Sequence, residues 1–332
     1  MNHANISIFV PHVGCPNQCS FCNQAHITGV HRLPGTKDIV NAVAVAEKSL
    51  KAELKNAEIA FFGGSFTAID REYMITLLEA AFEFVKSGKV KGIRISTRPD
   101  AIDDEILNLL KSYGVTSIEL GAQSMRDEVL ALNFRGHTSE DVKIASGLIK
   151  KYGFELGLQM MTGLYGDDDE GAVYTCTELI KLQPGTVRIY PTIVLKNTYL
   201  EQLYKSGKYR VQDLEHAVDL CARLLYMFYN ANISVIRLGL HSIESDSYVA
   251  GPWHPAFREL CEGKIYLDRA VGLLKSKGKG RYTLYVRPED VSKMVGHKRK
   301  NINALKAMGF ECKVASDPRL AKYEIIAKKD VD

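Results

Sequence analysis

No stretch of 18 consecutive apolar residues occurs in the chain, so the sequence holds no candidate for a membrane-spanning helix. The opening dozen residues, MNHANISIFVPH, lack the basic segment and long apolar run of a secretory signal. A cytoplasmic setting with no membrane partner is the expectation. Internal repeats and low-complexity tracts are also missing. What is present is ordinary for a globular chain: 332 residues, 46% hydrophobic and 25% charged, enough for one large domain and one small one. In a reducing compartment the seven cysteines are poor material for a disulfide scaffold, and clustered ones more often bind metal or do redox chemistry.

The formal net charge of +4 conceals an asymmetry. From Lys275 onward 15 Lys and Arg face 7 Asp and Glu, leaving 28 against 32 in the first 274 residues. A mildly acidic body therefore carries a basic tail, which serves either as solvated surface or as a polyanion site.

Short apolar runs suited to buried strands recur at ISIFV (6–10), EIAFF (58–62), GIRIS (92–96), SIEL (117–120), LGLQMM (156–161) and VRIY (187–190). Helical spacing fills the gaps, as at Ile39, Val43, Ala46 and Leu50, then Tyr73, Leu77, Leu78, Ala81 and Val85. The alternation predicts an α/β fold: a partial (β/α)6 barrel of parallel strands wound in right-handed units over residues 1 to about 195. Helices are expected at 198–203, 214–229 and 257–274, with a further apolar run at ISVIRLGL (233–240). The Lys/Gly run KSKGKGR (275–281) reads as a linker, giving units at 1–240, 241–278 and 279–332.

In barrels of this kind the reactive residues sit in the loops after the strands. Four such loops are polar or glycine-rich here: His12 to Cys22, then Gly63, Gly64 and Ser65, then Ser96, Thr97, Arg98, Pro99 and Asp100, then Gln123 and Ser124. The first contains GCPNQCSFCNQ (14–24), with Cys15, Cys19 and Cys22 and no fourth cysteine nearby. His12 or His26 could complete a Cys3His zinc site. The alternative is a [4Fe–4S] cluster that leaves one iron open for a cofactor. Cys176, Cys221, Cys261 and Cys312 have no metal-ligand spacing, which argues against a second cluster.

The CxxxCxxC loop after the first strand, with Phe21 before its last cysteine, resembles the signature of the radical S-adenosylmethionine (SAM) superfamily. The resemblance implies an enzyme whose cluster, held by Cys15, Cys19 and Cys22, binds SAM at its open iron and cleaves it to methionine and a 5′-deoxyadenosyl radical. FFGGSF (61–66) is similar to the family's SAM-binding glycine motif, implying SAM contacts at Gly63, Gly64 and Ser65. LGAQS (120–124) and NFRGHT (133–138) imply further contacts at Gln123 and Arg135, with Ser96 and Arg98 nearby. An electron donor such as flavodoxin or ferredoxin is implied as a partner.

STRPD (96–100), ELGAQS (119–124), RGHT (135–138), GLQMMTGL (157–164) and RIYPTIVLKNTYLEQLYKSGKY (188–209) resemble, in order, the branch that contains the catalytic subunit of Elongator. That branch acts on the wobble uridine of tRNA, and the resemblance implies an RNA substrate, with Tyr190 and Lys196 on its side of the site. Three features depart from the branch. Ser96 stands where Elongator-type sequences carry Glu, and the acetyltransferase domain has no counterpart in the remaining 90 or so residues. RLGLHS (237–242) bears a weak similarity to coproporphyrinogen oxidase-like enzymes.

In the tail, a strand at RYTLYVR (281–287), helices at EDVSKMV and NINALKAM, and strands at FECKVA and YEIIA give a β-α-α-β-β order. This resembles a KH-type RNA-binding module, whose GxxG turn clamps a nucleic-acid backbone. Gly296 fits the turn, Arg299 occupies the second glycine position, and Lys298, Arg299 and Lys300 supply three cations. The sequence therefore predicts a radical SAM enzyme that modifies a nucleotide in RNA, chiefly tRNA. Two rivals stand beside it: a radical SAM enzyme acting on a tetrapyrrole or other small metabolite, and a non-catalytic zinc-containing RNA-binding protein.

Overall fold

The computed structural model describes residues 4–11, 18–23, 32–240 and 246–330. Strands β1 (Asn5–Val10), β2 (Glu58–Gly63), β3 (Gly92–Thr97), β4 (Val115–Gln123), β5 (Glu155–Thr162) and β6 (Thr186–Pro191) lie side by side in sequence order, all parallel. A two-residue strand, β7 (Val194–Leu195), leaves that sheet, which β8 (Ser234–Leu238) then extends as a seventh parallel strand beside β6. The expected six-unit half-barrel thus gains one strand, at the run ISVIRLGL. β7 pairs antiparallel with β9 (Tyr248–Ala250).

The crossovers are helical: α1 (Thr36–Leu50), α2 (Arg71–Lys86), α3 (Asp104–Ser112), α4 (Asp127–Leu132), α5 (Ser139–Lys151), α6 (Asp169–Lys181), α7 (Tyr199–Lys205) and α8 (Leu214–Asn230). Side-chain oxygens cap several of their first turns, with Asp70, Asp103, Thr138, Asp168, Thr198 and Asp213 each accepting from a backbone N–H three residues on. One set of alternate strand residues, including Ile8, Ile59, Ile93, Ile95, Ile118, Leu158 and Ile189, is buried in the main core.

The opposite face of the sheet is polar. At its base Glu58 accepts from Arg94 Nε (3.1 Å), Thr116 Oγ1 (2.6 Å) and Ser117 Oγ (2.7 Å), and Glu155 lies 3.8 Å from Arg94 Nη2. Arg94 and Glu58 are fully buried, so each charge depends on this pairing to offset its desolvation. Higher up, register sets Ser96 beside Glu119, Gln159 beside Arg188, and Met161 beside Tyr190.

Beyond the sheet, α9 (Phe257–Lys275) packs on α8 and carries the tail. The tail comprises β10 (Gly280–Val286), α10 (Val291–Val295), α11 (Lys300–Ala307), β11 (Phe310–Ser316) and β12 (Ile326–Lys329). Its sheet has the order β11-β10-β12, parallel on one side of β10 and antiparallel on the other. The stretch 275–281 is compact: Lys275 closes α9, Gly280 opens β10, and the Tyr282 hydroxyl donates to the carbonyls of Lys277 (3.0 Å) and Gly278 (2.7 Å). Buried polar contacts tie tail to helix. Tyr266 OH donates to Asp290 (2.6 Å) and accepts from Tyr323 N (2.8 Å), while Glu262 pairs with Lys293 (2.8 Å) and Lys322 (3.1 Å).

Burial raises the pKa of Glu262, but the two lysines outweigh it and hold the carboxyl below its ordinary value. A carboxylate depressed in the folded state adds stability above its unfolded pKa, and that stability disappears as pH falls through the folded value. Glu262→Gln should therefore lower unfolding stability by about 2 kcal/mol at neutral pH, less than a fully buried pair would cost because both lysines are partly exposed. The deficit should shrink on acidification below about pH 4. Chemical denaturation from pH 7 to 3 measures both effects, and a pH-independent deficit would contradict the account.

Candidate active site

Cys15 lies outside the described residues, as do His12 and His26. The second half of the cysteine loop is described, and three backbone or side-chain ties fix it. Ser20 N donates to Asn133 O (3.1 Å), its hydroxyl donates to Asn133 Oδ1 (2.6 Å), and Ser20 O accepts from Leu200 N (2.8 Å) at the start of α7. Asn23 Nδ2 adds a bond to Lys196 O (3.0 Å). Two distant sequence motifs, NFRGHT and the segment at 188–209, thus converge on the cysteines. Phe21 packs among Val129, Met161 and Leu164 on one side and Val194, Leu200 and Leu203 on the other.

Arg135 is the hub of the site. Its Nη1 donates to Cys19 Sγ (3.1 Å) and its Nη2 to Gly121 O (2.7 Å), while its Nε is buried with no hydrogen-bond partner among the described residues. Its own carbonyl accepts from Arg98 Nη2 (2.7 Å), and Arg98 is clamped by both Asp100 oxygens at 2.8 Å. Arg98 is therefore a positioning residue. His137 Nε2–H donates to Ala122 O (3.2 Å), and burial first, then the Arg135 charge, lower its pKa to about 4. The imidazole is neutral at physiological pH.

The glycine motif at the end of β2 is shaped by close approach. Gly63 has φ +123°, and a Cβ there would sit 2.1 Å from Val10 O, so a side chain cannot be accommodated. Gly64 N donates to the same carbonyl (3.1 Å). Ser65 is buried, with its hydroxyl against Thr97 Oγ1 (2.8 Å) and accepting from Arg98 N (3.2 Å). It stitches β2 to β3 and spends its polar atom doing so. Gln123 has the left-handed φ of +65° at the end of β4, where its Oε1 accepts from Gln159 Nε2 (3.2 Å).

Deeper in the half-barrel, Ser96 Oγ lies 3.5 Å from Glu119 Oε1, so the strand next door brings a carboxylate beside the position where Ser replaces Glu. That carboxylate is committed to Arg188, whose Nε donates to it at 2.6 Å and whose Nη1 donates to Tyr190 OH (3.3 Å). The Arg188 guanidinium stacks on the Phe62 ring, 4.8 Å from its centroid. Burial raises the Tyr190 pKa above its ordinary value against the opposing pull of Arg188. Lys196, by contrast, is exposed on the loop after β7 and contributes only backbone contacts among the described residues. Asn133, Ser20, Glu119 and Arg188 were not singled out from sequence. All four lie within quoted motifs, but their pairing becomes visible only with strand register and loop contacts.

The tail turn places Gly296 at φ +79°, where a Cβ would meet Asn301 at 2.8 Å. Lys298 and Arg299 both adopt left-handed backbone, at φ +50° and +63°, with exposed side chains and no ion pair among the described residues. Lys300 reaches back to Glu215 on α8 (2.5 Å), so it holds the turn to the body as well as adding charge.

The radical SAM superfamily profile matches residues 9–179, more than half of the chain, and the radical SAM C-terminal domain profile follows at 184–266. The chain belongs to the radical SAM superfamily, whose members are enzymes that bind a [4Fe–4S] cluster and SAM. Human Elongator complex protein 3 is 32% identical over 198 residues, 54% of this chain and 36% of its own length. The tRNA uridine(34) acetyltransferase of Methanocaldococcus jannaschii is 28% identical over 183 residues, 49% of this chain and 34% of its own. An uncharacterized protein of the same archaeon is 27% identical over 251 residues, 74% of each chain. The chain thus spans about a third of the length of the Elongator-type relatives. In fold it is similar to archaeal Elp3 of Methanocaldococcus infernus, with a TM-score of 0.62 at 19% identity over 81% of this chain and 63% of that one. No helix among the described residues is long and apolar enough to cross a membrane.

The residues present suit these cofactors. Two thiols of the motif are in place, one already accepting from a guanidinium, as a cluster-bound thiolate can. The buried Arg135 Nε, unpaired among the described residues, offers a donor to a further anionic group. Cys19→Ala should abolish the iron–sulfur absorbance of anaerobically reconstituted protein along with SAM cleavage. Full turnover by that variant with an intact cluster would contradict the assignment.

Proposed function

We propose that the chain modifies a nucleotide in RNA, most directly tRNA, with a cluster held by Cys15, Cys19 and Cys22. Similarity to relatives named as tRNA uridine(34) acetyltransferases carries the reading. When bound, the cluster and SAM supply a 5′-deoxyadenosyl radical that abstracts hydrogen, given an electron from a donor such as flavodoxin or ferredoxin. The chain's own residues bind, orient and seal.

In this reading Gly63 and Gly64 give SAM a side-chain-free edge to lie against, and Gln123 presents an amide braced by Gln159. Ser65 and Ser96 hold that edge through neighbouring strands, and Arg98 fixes Arg135. Arg135 keeps Cys19 oriented, and its Nε–H, unpaired among the described residues, would hold the cofactor's carboxylate. Phe21 excludes water beside the cysteines. Tyr190, with its hydroxyl braced by Arg188, faces an extruded base, and Lys196 at the exposed loop meets the RNA further out. The relatives' acetyltransferase name is not carried over, since the match covers about a third of their length.

The tail supplies sequence-independent grip. Gly296, Lys298, Arg299 and Lys300 form a cationic turn at the start of α11, in the β-α-α-β-β order of a KH-type module. Both family profiles end before it, so this likeness rests on element order and the turn. Left-handed backbone at Lys298 and Arg299 is costly for residues with a Cβ and commonly marks a functional turn. Arg299→Gly should therefore raise stability by about 0.5–1 kcal/mol while weakening RNA binding. Alanine at Lys298 and Arg299 should weaken tRNA binding across sequences and reduce the slope of log K against log salt by roughly one for each phosphate no longer neutralised. An unchanged affinity and slope would sink the RNA role of the tail and favour a small-metabolite substrate.

A further inference from the structure

The polar interior of the half-barrel divides into two layers of opposite excess charge. In the lower layer one guanidinium, Arg94, faces two carboxylates, Glu58 and Glu155. In the layer nearer the loop end, one carboxylate, Glu119, is matched by Arg188, and a second guanidinium arrives unmatched. That group is Arg237, the register partner of Arg188 on β8. Its Nε donates to Gly239 O (2.9 Å), and it forms no ion pair among the described residues.

Burial lowers the Arg237 pKa, and the charges of Arg188 and Arg258 act on it in the same direction. Arg258 is itself occupied by Glu262 and by Val235 O (2.8 Å). The Tyr190 hydroxyl accepts from Arg188 Nη1 (3.3 Å), which leaves its own hydrogen to donate, and the charges of Arg188 and Arg237 both favour its ionised form. Two guanidiniums side by side on neighbouring strands, with the one carboxylate of the layer held by Arg188 on the side away from Arg237, call for an anion. Planar guanidinium forks suit an oxyanion because two parallel N–H donors match two oxygens.

We propose that Arg188 and Arg237 form a binding site for the oxyanion of a substrate or co-substrate, a carboxylate or a phosphate, with the Tyr190 hydroxyl as the third donor. Arg188 keeps its Glu119 partner and uses its Nη2–H pair, which has no partner among the described residues, and Arg237 supplies its two Nη groups. Strand β8 thereby becomes part of the substrate site. The inference rests on the fold and the barrel's charges and is independent of the RNA role of the tail.

The test uses full-length, 15N-arginine-labelled protein and follows the Nε–Hε resonances of Arg188 and Arg237, assigned through Arg188→Lys and Arg237→Lys. Sodium acetate and inorganic phosphate are titrated separately at constant ionic strength set by chloride. The expected result is a saturable shift of both resonances, with half-saturation moved at least about tenfold to higher anion concentration in Arg237→Gln. Saturation by acetate assigns a carboxylate-bearing ligand, and saturation by phosphate alone assigns a phosphoryl group. Non-saturating shifts in both arms, or equal half-saturation in a folded Arg237→Gln protein, overturn the proposal. Neither titration involves RNA, so failure here leaves the tRNA reading standing, and the reverse also holds.

Discussion

The site depends on one guanidinium. Arg135 bonds Cys19, belonging to the cysteine loop, and Gly121, belonging to the end of β4, so it joins the cysteine loop to the sheet. Its backbone is in turn held by Arg98 from the end of β3, which Asp100 locks by a two-pronged contact. The ends of two neighbouring strands therefore set the position of one sulfur. A guanidinium taken this far out of water is tolerated only with several acceptors, and its Nε–H, unpaired among the described residues, is a donor that a bound carboxylate would satisfy.

Below that junction, the parallel sheet uses its inner face for charge rather than for apolar packing. Arg94 with Glu58 and Glu155 at the base, and Glu119 with Arg188 above, replace the branched aliphatic layers common in closed barrels. An open half-barrel leaves room for cofactor and substrate, and a paired polar lining fixes donors and acceptors in advance of binding. The helix-facing side carries the stability. On the far edge, α9 links the half-barrel to the tail through the ion pairs of Glu262, so the cationic turn has a defined position relative to the barrel.

Much of this was legible in the sequence. Apolar runs of strand length separated by helical spacing located all six expected strands within about two residues at each end, apart from the longer β4, because buried parallel strands read as continuous hydrophobic stretches. The seventh was visible as ISVIRLGL but lacked a reason to join the sheet until β6 was seen beside it. Motif reading placed Cys19, Cys22, Gly63, Gln123 and Arg135 near one end of the sheet. It did not reveal that Ser65 is occupied within the strands, that Arg98 acts through Arg135, or that Glu119 lies beside Ser96. Those relations depend on cross-strand register, which no single stretch of sequence encodes. Likewise, the second glycine position of the tail turn holds Arg299 in the conformation glycine would take, a strain invisible without backbone angles.

The central claim is that this chain is a radical SAM enzyme acting on RNA. Anaerobically purified protein, reduced with dithionite and supplied with SAM, should form 5′-deoxyadenosine, and bulk tRNA should stimulate that formation. No 5′-deoxyadenosine from protein with an intact, reduced cluster, tested with tRNA present and absent, would contradict the claim at its root.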